Sequence, residues 1–430
     1  MARLFGTDGI RGLAFGDVLT EDLTRRVAAS AARVLGGSRV AIGRDTRPSG
    51  PALQQAALEG FTAAGADVVL LGVVPTPAVA QVVASGAADL GLVLSASHNP
   101  APDNGLKLFG PGGHKLTDAQ EDAIEAGIGP LGAGSGTVTD GADLVEGYAS
   151  SLLATVGSLS GLRVVVDGAQ GAASSLAPEV YRRAGAEVVA ISCDADGERI
   201  NDGCGATHPE SLAAAVVENR ADLGIAHDGD ADRCIVVDAD GRILNGDQVL
   251  GLLALARQEA GLPASDVLVA TVMSNLGLAL AMEAAGIELV RTAVGDRYVL
   301  EEMLAHDHRL GGEQSGHVVL LDHATTGDGL LTALQVMSRV VTSGRALADL
   351  ASVVTLLPQV LVNVRAERTR ATDPDVLAAV AAEEAALDGS GRVLLRPSGT
   401  EPLVRVMVEA PTSDTAEAVA QRLAEIVAGH

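Results

Sequence analysis

Aromatic residues are nearly absent from this sequence. Phe, Tyr and Trp together make up 2% of the 430 residues, and tryptophan does not occur, whereas hydrophobic residues of all kinds make up 47%. The hydrophobic cores therefore have to be built from alanine, valine and leucine. A chain of this length exceeds what a single core usually supports, so we expect several domains.

Basic residues are also scarce. The chain has 30 lysines and arginines against 55 aspartates and glutamates, which gives a formal net charge of −25. Such a surface repels nucleic acid and anionic membranes, and no basic stripe interrupts it. We therefore expect neither a nucleic acid nor a membrane as a partner. An anionic small molecule would need a local cluster of arginine and lysine.

Cysteines and targeting segments are equally limited. The three cysteines form no CxxC pair, which is typical of a reducing compartment. The N-terminus lacks the apolar core of a signal peptide. Residues 68–88 carry no charge, but two prolines, a glutamine and a glycine within them favour a strand, a loop and a helix over a membrane span. We expect a cytoplasmic protein.

A short pattern recurs three times along the chain, at residues 64–69, 184–189 and 285–290. Each copy begins Ala-Gly, ends a helix at that glycine and enters an apolar strand. Further apolar strands lie on both sides of each copy. Three βαβαβ units of this kind predict three similar α/β domains with mixed or mainly parallel sheets. The rest of the chain predicts a smaller C-terminal α+β domain, so we expect domains at residues 1–155, 156–259, 260–358 and 359–430.

The repeat places one polar loop at the same point of each unit, directly after a buried strand. These loops are residues 95–100 (Ser-Ala-Ser-His-Asn-Pro), 228–233 (Asp-Gly-Asp-Ala-Asp-Arg) and 312–317 (Gly-Glu-Gln-Ser-Gly-His). Open α/β sheets bind their ligands at the carboxyl ends of the strands. We therefore expect the three loops to face a single ligand.

Three carboxylates alternate along the second loop, at Asp228, Asp230 and Asp232. In an extended loop this alternation would place all three on one side, where they repel one another unless a divalent cation lies between them. An incomplete set of hard oxygen ligands favours Mg²⁺. An EF-hand calcium loop requires a Glu at position 12, and Ala239 stands there, which excludes it. A solvated acidic turn remains the alternative.

A fourth polar loop, near the end of the chain, combines the groups that phosphate recognition needs. Arg396, Ser398, Gly399 and Thr400 supply a guanidinium, two hydroxyls and a bare backbone, and Arg405 follows on the next strand. A hairpin turn with no ligand is the alternative.

Other candidates carry less specific patterns. Glu313 and Ser315 can face the same way and bind neighbouring hydroxyls of a sugar, while His98 and His317 fit either a proton donor or a structural role. Lys107 can return to Ser97 as a positive charge.

The four motifs, in this order, resemble the signature loops of the α-D-phosphohexomutases over essentially the whole chain. The resemblance implies four domains around a central cleft, a phosphoryl group on Ser97, and Mg²⁺ bound by that phosphoserine and the three aspartates. One departure is Ala-Pro at residues 101–102, where an aromatic residue is common, which puts the shape of the loop rim in doubt. The resemblance implies catalysis for Ser97, Arg11 and Lys107; metal binding for Ser97, Asp228, Asp230 and Asp232; and substrate binding for Glu313, Ser315, Arg396, Ser398, Gly399 and Thr400. To these we add His98 as a catalytic candidate and His317, Arg233 and Arg405 as substrate-binding candidates.

Within this family the chain is most similar to the branch that acts on glucosamine phosphates, on residues 5–12, residues 292–298 and Gln314. The resemblance implies interconversion of glucosamine 6-phosphate and glucosamine 1-phosphate through glucosamine 1,6-bisphosphate, which supplies amino-sugar and cell-wall precursors. The expected partner is a phosphosugar, and a homodimer is compatible with the sequence. The alternatives are a glucose or mannose phosphate mutase, or a regulator that binds sugar phosphates without turnover.

Overall fold

The computed structural model describes residues 3–6, 8–397 and 402–429. The chain divides into two compact units. The first comprises Met1–Val272 and Ile287–Ser352, and the second comprises Met273–Gly286 and Val353–His430.

The first unit begins with a six-stranded sheet in the order β1-β5-β4-β2-β3-β6. Strand β2 runs parallel to β3 and β4, whereas β5 runs antiparallel to β4 and β1. The uncharged stretch at residues 68–88 forms a strand and a helix, as predicted. The elements are β1 (Ile10–Leu13), α1 (Glu21–Leu35), β2 (Arg39–Arg44), α2 (Gly50–Ala63), β3 (Asp67–Val73), α3 (Thr76–Ala84), β4 (Leu90–Leu94), β5 (Asp103–Phe109), α4 (Asp118–Ala126), β6 (Val138–Asp140) and α5 (Ala142–Leu153).

Helix α1 illustrates how the sequence determines these elements. The Thr20 hydroxyl accepts a hydrogen bond from the Leu23 amide, and the helix ends at Gly36, whose φ of 71° lies in the left-handed region. Its apolar face, which includes Val27 and Ala31, is buried in the core of this sheet. The small side chains allow close packing against α2.

A five-stranded sheet follows in the order β11-β10-β9-β7-β8. Strand β7 runs parallel to β8 and β9, whereas β10 runs antiparallel to β9 and to β11. Helix α8, at its end, packs against elements of the next sheet. The elements are β7 (Arg163–Asp167), α6 (Ala173–Arg183), β8 (Glu187–Ile191), α7 (Glu210–Glu218), β9 (Leu223–Ala226), β10 (Ile235–Asp238), β11 (Ile243–Leu244) and α8 (Gly246–Glu259).

A four-stranded sheet in the order β13-β12-β14-β15 completes the first unit. Strand β12 is parallel to β13 and β14, and β15 is antiparallel. Helix α9, which follows β12 in the chain, belongs to the second unit. The elements are β12 (Val267–Thr271), α9 (Leu276–Ala284), β13 (Glu288–Thr292), α10 (Asp296–His306), β14 (Leu310–Gly312), β15 (Val318–Leu320), α11 (Gly329–Ser343) and α12 (Leu347–Ala351).

The three sheets of the first unit repeat one arrangement, so the predicted repeat is present. In each, a third parallel strand (β4, β9 or β14) leads into a loop, and the next strand returns antiparallel. The expectation of α/β domains with mixed or parallel sheets is confirmed, because each sheet combines parallel strands with an antiparallel return strand. The loops at residues 95–102, 227–234 and 313–317 are shorter than the dozen residues that a parallel crossover needs.

The second unit contains an antiparallel sheet in the order β16-β18-β17. Asn275, which caps α9, exchanges two hydrogen bonds with the backbone of Leu357, at 3.0 and 2.9 Å. The domain boundaries given by the sequence stay predictions. The remaining elements are β16 (Gln359–Arg365), α13 (Pro374–Leu387), β17 (Arg392–Pro397), β18 (Leu403–Glu409) and α14 (Ser413–Ala428).

Across the described ranges of both units, no helix combines the length and the apolar composition needed to cross a membrane.

Candidate active site

Ser97 lies in the loop that follows β4, and its side chain is almost completely buried, at 1% exposure. Its φ of 52° places it in the left-handed region, which non-glycine residues rarely adopt. Its hydroxyl donates a hydrogen bond of 2.6 Å to Asp228 Oδ2 and lies 3.3 Å from His98 Nδ1. The structure thus joins the first two predicted loops directly.

The three aspartates of the second loop come together, but not by the route that the sequence predicted. Residues 229–230 form a turn, Ala231 has a φ of 57°, and its amide donates to the Asp228 carbonyl at 3.0 Å. The loop is therefore not extended. The turn, rather than alternation along a strand, brings carboxylate oxygens of Asp228, Asp230 and Asp232 within 4.8 Å of one another.

The buried carboxylates are partly neutralised by Lys107, which is also buried. Its Nζ lies 2.7 Å from Asp230 Oδ2, 2.9 Å from Asp8 Oδ2 and 3.6 Å from Asp232 Oδ2. Burial lowers the pKa of Lys107, but the attraction of these carboxylates outweighs it, so that the net pKa lies above the ordinary value. Lys107 therefore stays charged.

Two observations show that the aspartates fit a divalent metal ion. Among the described residues, Asp230 Oδ1 and Asp232 Oδ1 find no hydrogen-bond partner although they are buried, an arrangement that is costly unless a ligand completes it. In addition, burial, together with the charges of Asp232 and Asp230, raises the pKa of Asp228. A cation among the three would remove this mutual repulsion. Hard carboxylate oxygens with open positions suit Mg²⁺.

Further charged residues extend from the aspartates towards the third sheet. Arg11 pairs with Asp8 and lies 3.4 Å from the Ala96 carbonyl. Lys115 bonds to Asp8 at 2.8 Å and also pairs with Asp296, at the start of α10. An alternating series of charges thus connects the first and third sheets.

The third loop is a tight turn between β14 and β15. The Gly316 amide donates to the Glu313 carbonyl at 3.0 Å, and the Glu313 amide donates to the His317 carbonyl at 2.9 Å. The Ser315 hydroxyl is buried and has no partner in the described residues, so it is available to a ligand. The Gly295 amide donates to Glu313 Oε1 at 3.1 Å, which fixes the orientation of that side chain.

His317 and Arg233 connect the third loop to the aspartates. His317 Nδ1 lies 3.6 Å from Asp232 Oδ1, and Arg233 Nε lies 3.8 Å from Asp228 Oδ2. Burial lowers the pKa of His317, but the charge of Asp232 outweighs it and raises the net value. Burial, followed by the charges of Arg233 and Arg11, lowers the pKa of His98 to about 4. The surroundings therefore disfavour the charged form of His98 and favour that of His317.

In the second unit, Arg396 on β17 lies directly opposite Arg405 on β18. Opposite residues of an antiparallel pair project from the same face of the sheet. Both arginines are half-buried, and neither forms an ion pair with a carboxylate in the described part of the chain. Ser398, Gly399 and Thr400 lie outside the described residues, so their predicted role stays a prediction.

Two contributors to the site carry no signal in the sequence that would have identified them. Thr76, at the start of α3, donates from its hydroxyl to Asp230 Oδ2 at 2.7 Å and from its amide to the Asp230 carbonyl at 2.9 Å. Lys115 pairs with Asp8 and Asp296. The prolines on both sides of Thr76 pointed only to a loop, and no local pattern marks Lys115.

Glycines allow the backbones of the first two sheets to approach closely. A Cβ atom on Gly197 would lie 1.8 Å from the Thr46 carbonyl oxygen, and one on Gly229 would lie 2.5 Å from that of Ser97. The Thr46 hydroxyl crosses the same seam and donates to the Gln170 carbonyl at 2.6 Å. Any side chain at these glycines would separate Ser97 from the aspartates.

Four family models match the chain, all from phosphoglucomutase/phosphomannomutase. They are alpha/beta/alpha domain I at residues 2–130, domain II at 145–241, domain III at 245–356 and the C-terminal domain at 361–426. A relative from Saccharopolyspora erythraea, phosphoglucosamine mutase, is 59% identical, and the match covers 100% of this chain and 99% of the relative.

Solved structures give the same fold. A phosphoglucomutase/phosphomannomutase family protein from Burkholderia thailandensis superposes with a TM-score of 0.83 at 26% identity, covering 99% of this chain and 97% of the other. The N-acetylphosphoglucosamine mutase of Aspergillus fumigatus, crystallised in complex with GlcNAc-6P and magnesium, reaches a TM-score of 0.72 at 19% identity, covering 99% and 95%. At that identity the likeness concerns the fold alone.

Proposed function

Because the chain belongs to the phosphoglucomutase/phosphomannomutase family, as its four motifs indicated, we propose that it is a phosphoglucosamine mutase. It interconverts glucosamine 6-phosphate and glucosamine 1-phosphate through a phosphoserine and a sugar 1,6-bisphosphate. The choice of glucosamine is supported by the Saccharopolyspora relative, which carries that name at 59% identity over the whole chain. The same relationship supports a role in supplying amino-sugar precursors.

One observation carries the chemistry. The Ser97 hydroxyl is held 2.6 Å from Asp228 in a turn of three buried aspartates, with Lys107 beside them. Phosphoryl transfer needs positioning and neutralisation of charge more than it needs a strong base. A protein that only binds sugar phosphates has no use for a buried serine in this environment.

In the first half-reaction, the 1-hydroxyl oxygen of glucosamine 6-phosphate attacks the phosphorus on Ser97. A new P–O1 bond forms, the bond from phosphorus to Ser97 Oγ breaks, and the hydroxyl proton ends on Oγ. Lys107 and Arg11 place positive charge beside the loop throughout. Mg²⁺, when bound by Asp228, Asp230 and Asp232, would withdraw charge from the phosphoryl oxygens.

The second half-reaction reverses these roles. The 6-phosphate of the bisphosphate returns its phosphoryl group to Ser97, and glucosamine 1-phosphate leaves. We assign Glu313, Ser315 and His317 to the sugar hydroxyls, which the unpartnered Ser315 hydroxyl supports. Arg396 and Arg405, together with the predicted residues 398–400, are assigned to the phosphate that is not being transferred.

The test is an assay of purified protein with glucosamine 6-phosphate, Mg²⁺ and a trace of glucose 1,6-bisphosphate, followed by ³¹P NMR. We expect a new 1-phosphate signal that requires both Mg²⁺ and bisphosphate. Parallel reactions with glucose 6-phosphate and mannose 6-phosphate measure specificity. Faster turnover of either sugar would identify the chain as a phosphoglucomutase or phosphomannomutase instead. Binding of all three sugars without turnover would identify a regulator.

A further inference from the structure

A buried ion pair lies behind the Ser97 loop, in the segment that connects β2 to α2. Asp45 and Arg47 are both completely buried. Arg47 Nε donates to Asp45 Oδ2 at 2.9 Å, and the Arg47 amide donates to Asp45 Oδ1 at 3.0 Å. Removing two charges from water costs several kcal/mol per ion, so a pair like this persists only where further hydrogen bonds satisfy it.

The remaining nitrogens of Arg47 donate to backbone carbonyls of the Ser97 loop. Nη2 bonds to the carbonyl oxygens of Ser97 and Asn99 at 3.0 and 2.7 Å. Nη1 bonds to that of Asp103 at 2.8 Å and also contacts that of Pro100. One planar guanidinium therefore binds three carbonyls of the Ser97 loop and that of Asp103, the first residue of β5.

Asp45 is linked to the backbone amide of Ser97 through the Ser95 side chain. The Ser95 hydroxyl donates to Asp45 Oδ2 at 2.6 Å and accepts the Ser97 amide at 2.9 Å. The ion pair thus controls the amide and the carbonyl of Ser97. In the described residues, the only other side chain bonded to the Ser97 carbonyl is Asn201, at 2.9 Å.

We propose that Arg47 and Asp45 are positioning residues that keep Ser97 in its left-handed conformation, with its hydroxyl directed at Asp228. This role rests on the proposed function of Ser97 as the phosphoryl carrier. The left-handed region is unfavourable for serine, so the surrounding structure has to impose this conformation. Lysine cannot replace Arg47, because a single ammonium cannot span Asp45 and four separated carbonyls.

The test compares Arg47→Lys with wild type in three measurements. For Arg47→Lys, kcat should fall about 100-fold, because the loop no longer holds the phosphoryl group in line. The KM for glucosamine 6-phosphate should change less than about threefold, because Arg47 is buried away from the substrate. Labelling of Ser97 by radiolabelled glucose 1,6-bisphosphate should slow in parallel with kcat.

Hydrogen exchange of the amides at residues 97–103 reads the loop directly and should accelerate in Arg47→Lys. Arg44→Lys is the matched control, since in the described part of the chain the Arg44 guanidinium bonds to the Asp45 carbonyl and to no carbonyl of residues 95–103. It should retain wild-type kcat and exchange. A folded Arg47→Lys protein with wild-type kcat and unchanged loop exchange would overturn the proposal.

Two other results need separate interpretation: an Arg47→Lys variant that does not fold, and a wild-type protein that takes no label. If Arg47→Lys does not fold, Ser95→Ala interrupts the same path between Asp45 and the Ser97 amide, and should lower kcat about 10-fold while loop exchange rises. Wild-type values in that variant would also overturn the proposal. If wild-type protein takes no label, the proposed function fails, whereas hydrogen exchange still decides whether Arg47 orders the loop.

Discussion

The loops of the first unit and the arginine pair of the second unit differ in whether their cations are paired with carboxylates. Around Ser97 the cations are already paired: Lys107 with Asp230 and Asp8, and Lys115 with Asp296. In the second unit, Arg396 and Arg405 share one face of the sheet and form no ion pair within the described residues. The cations around Ser97 are thus neutralised by neighbouring carboxylates. The arginines of the second unit keep a positive charge that an anionic ligand can neutralise.

The difference follows from burial. Lys107 is 3% exposed and Asp230 is completely buried, so either charge alone would cost several kcal/mol. The half-buried arginines of the second unit keep contact with water and need no carboxylate. A phosphate that replaces this water gains charge-assisted hydrogen bonds.

The largest effect should come from removing Ser97, the proposed phosphoryl carrier of the first unit. We expect Ser97→Ala to lower turnover by at least about 10⁴-fold, since no other group can store the phosphoryl group. Mass spectrometry should find one phosphate on Ser97 in part of the wild-type protein and none in the variant. Ser85→Ala, at the end of α3, should behave as wild type. Phosphate on another residue, or an active Ser97→Ala protein, would contradict the assignment.

The next largest effect should come from the proposed metal ligands. Asp230→Asn should lower kcat about 100-fold or more and raise the Mg²⁺ concentration needed for half-maximal rate. Removal of Mg²⁺ with EDTA should abolish wild-type activity. The control is Asp240→Asn, an exposed carboxylate beyond β10. Near-normal turnover of Asp230→Asn at limiting Mg²⁺ would show that this aspartate does not serve the metal.

Substitutions in the second unit should change KM rather than kcat. Arg396→Ala removes a charged hydrogen-bond donor, so KM should rise about 10- to 100-fold for both glucosamine 6-phosphate and glucosamine 1-phosphate. Arg422→Ala, which removes an exposed surface arginine of the same unit, should leave both values unchanged. An effect on one direction only would mean that Arg396 does not serve both monophosphates.

The smallest effect concerns a buried acid of the first unit that lies outside the loops. Burial raises the pKa of Asp328 to about 6. The folded chain therefore holds this proton to a higher pH than the unfolded chain does, and this contribution to stability falls as pH rises from about 4 to 6.

Asp328→Asn keeps an acceptor for the Leu331 amide and the Tyr148 hydroxyl but removes the titration. Relative to wild type, the variant should gain about 1–2 kcal/mol of unfolding free energy between pH 4 and pH 7. Urea unfolding at both pH values measures this gain. Asp240→Asn should show no such gain, and an equal pH dependence in Asp328→Asn and wild type would refute the role of Asp328.

Local sequence patterns predicted the repeat and which residues form the polar loops, because apolar strands that end in polar turns are short-range features. They could not predict relations set by distant contacts. The turn at Asp230 depends on the left-handed Ala231, whose conformation no neighbouring residue dictates. Lys115 meets Asp296 across 181 positions of the chain. The antiparallel return strands are likewise fixed by pairing rather than by their own residues.

The seam between the first two sheets has a mechanical consequence. Asn201 and Thr76 bond across it, and Gly197 and Gly229 bring backbone against backbone, so no flexible linker separates Ser97 from the aspartates. These contacts tie the two loops together and hold the Ser97 hydroxyl 2.6 Å from Asp228 Oδ2. In the proposed mechanism, the sugar bisphosphate can therefore turn between the half-reactions while the serine and the aspartates stay in place.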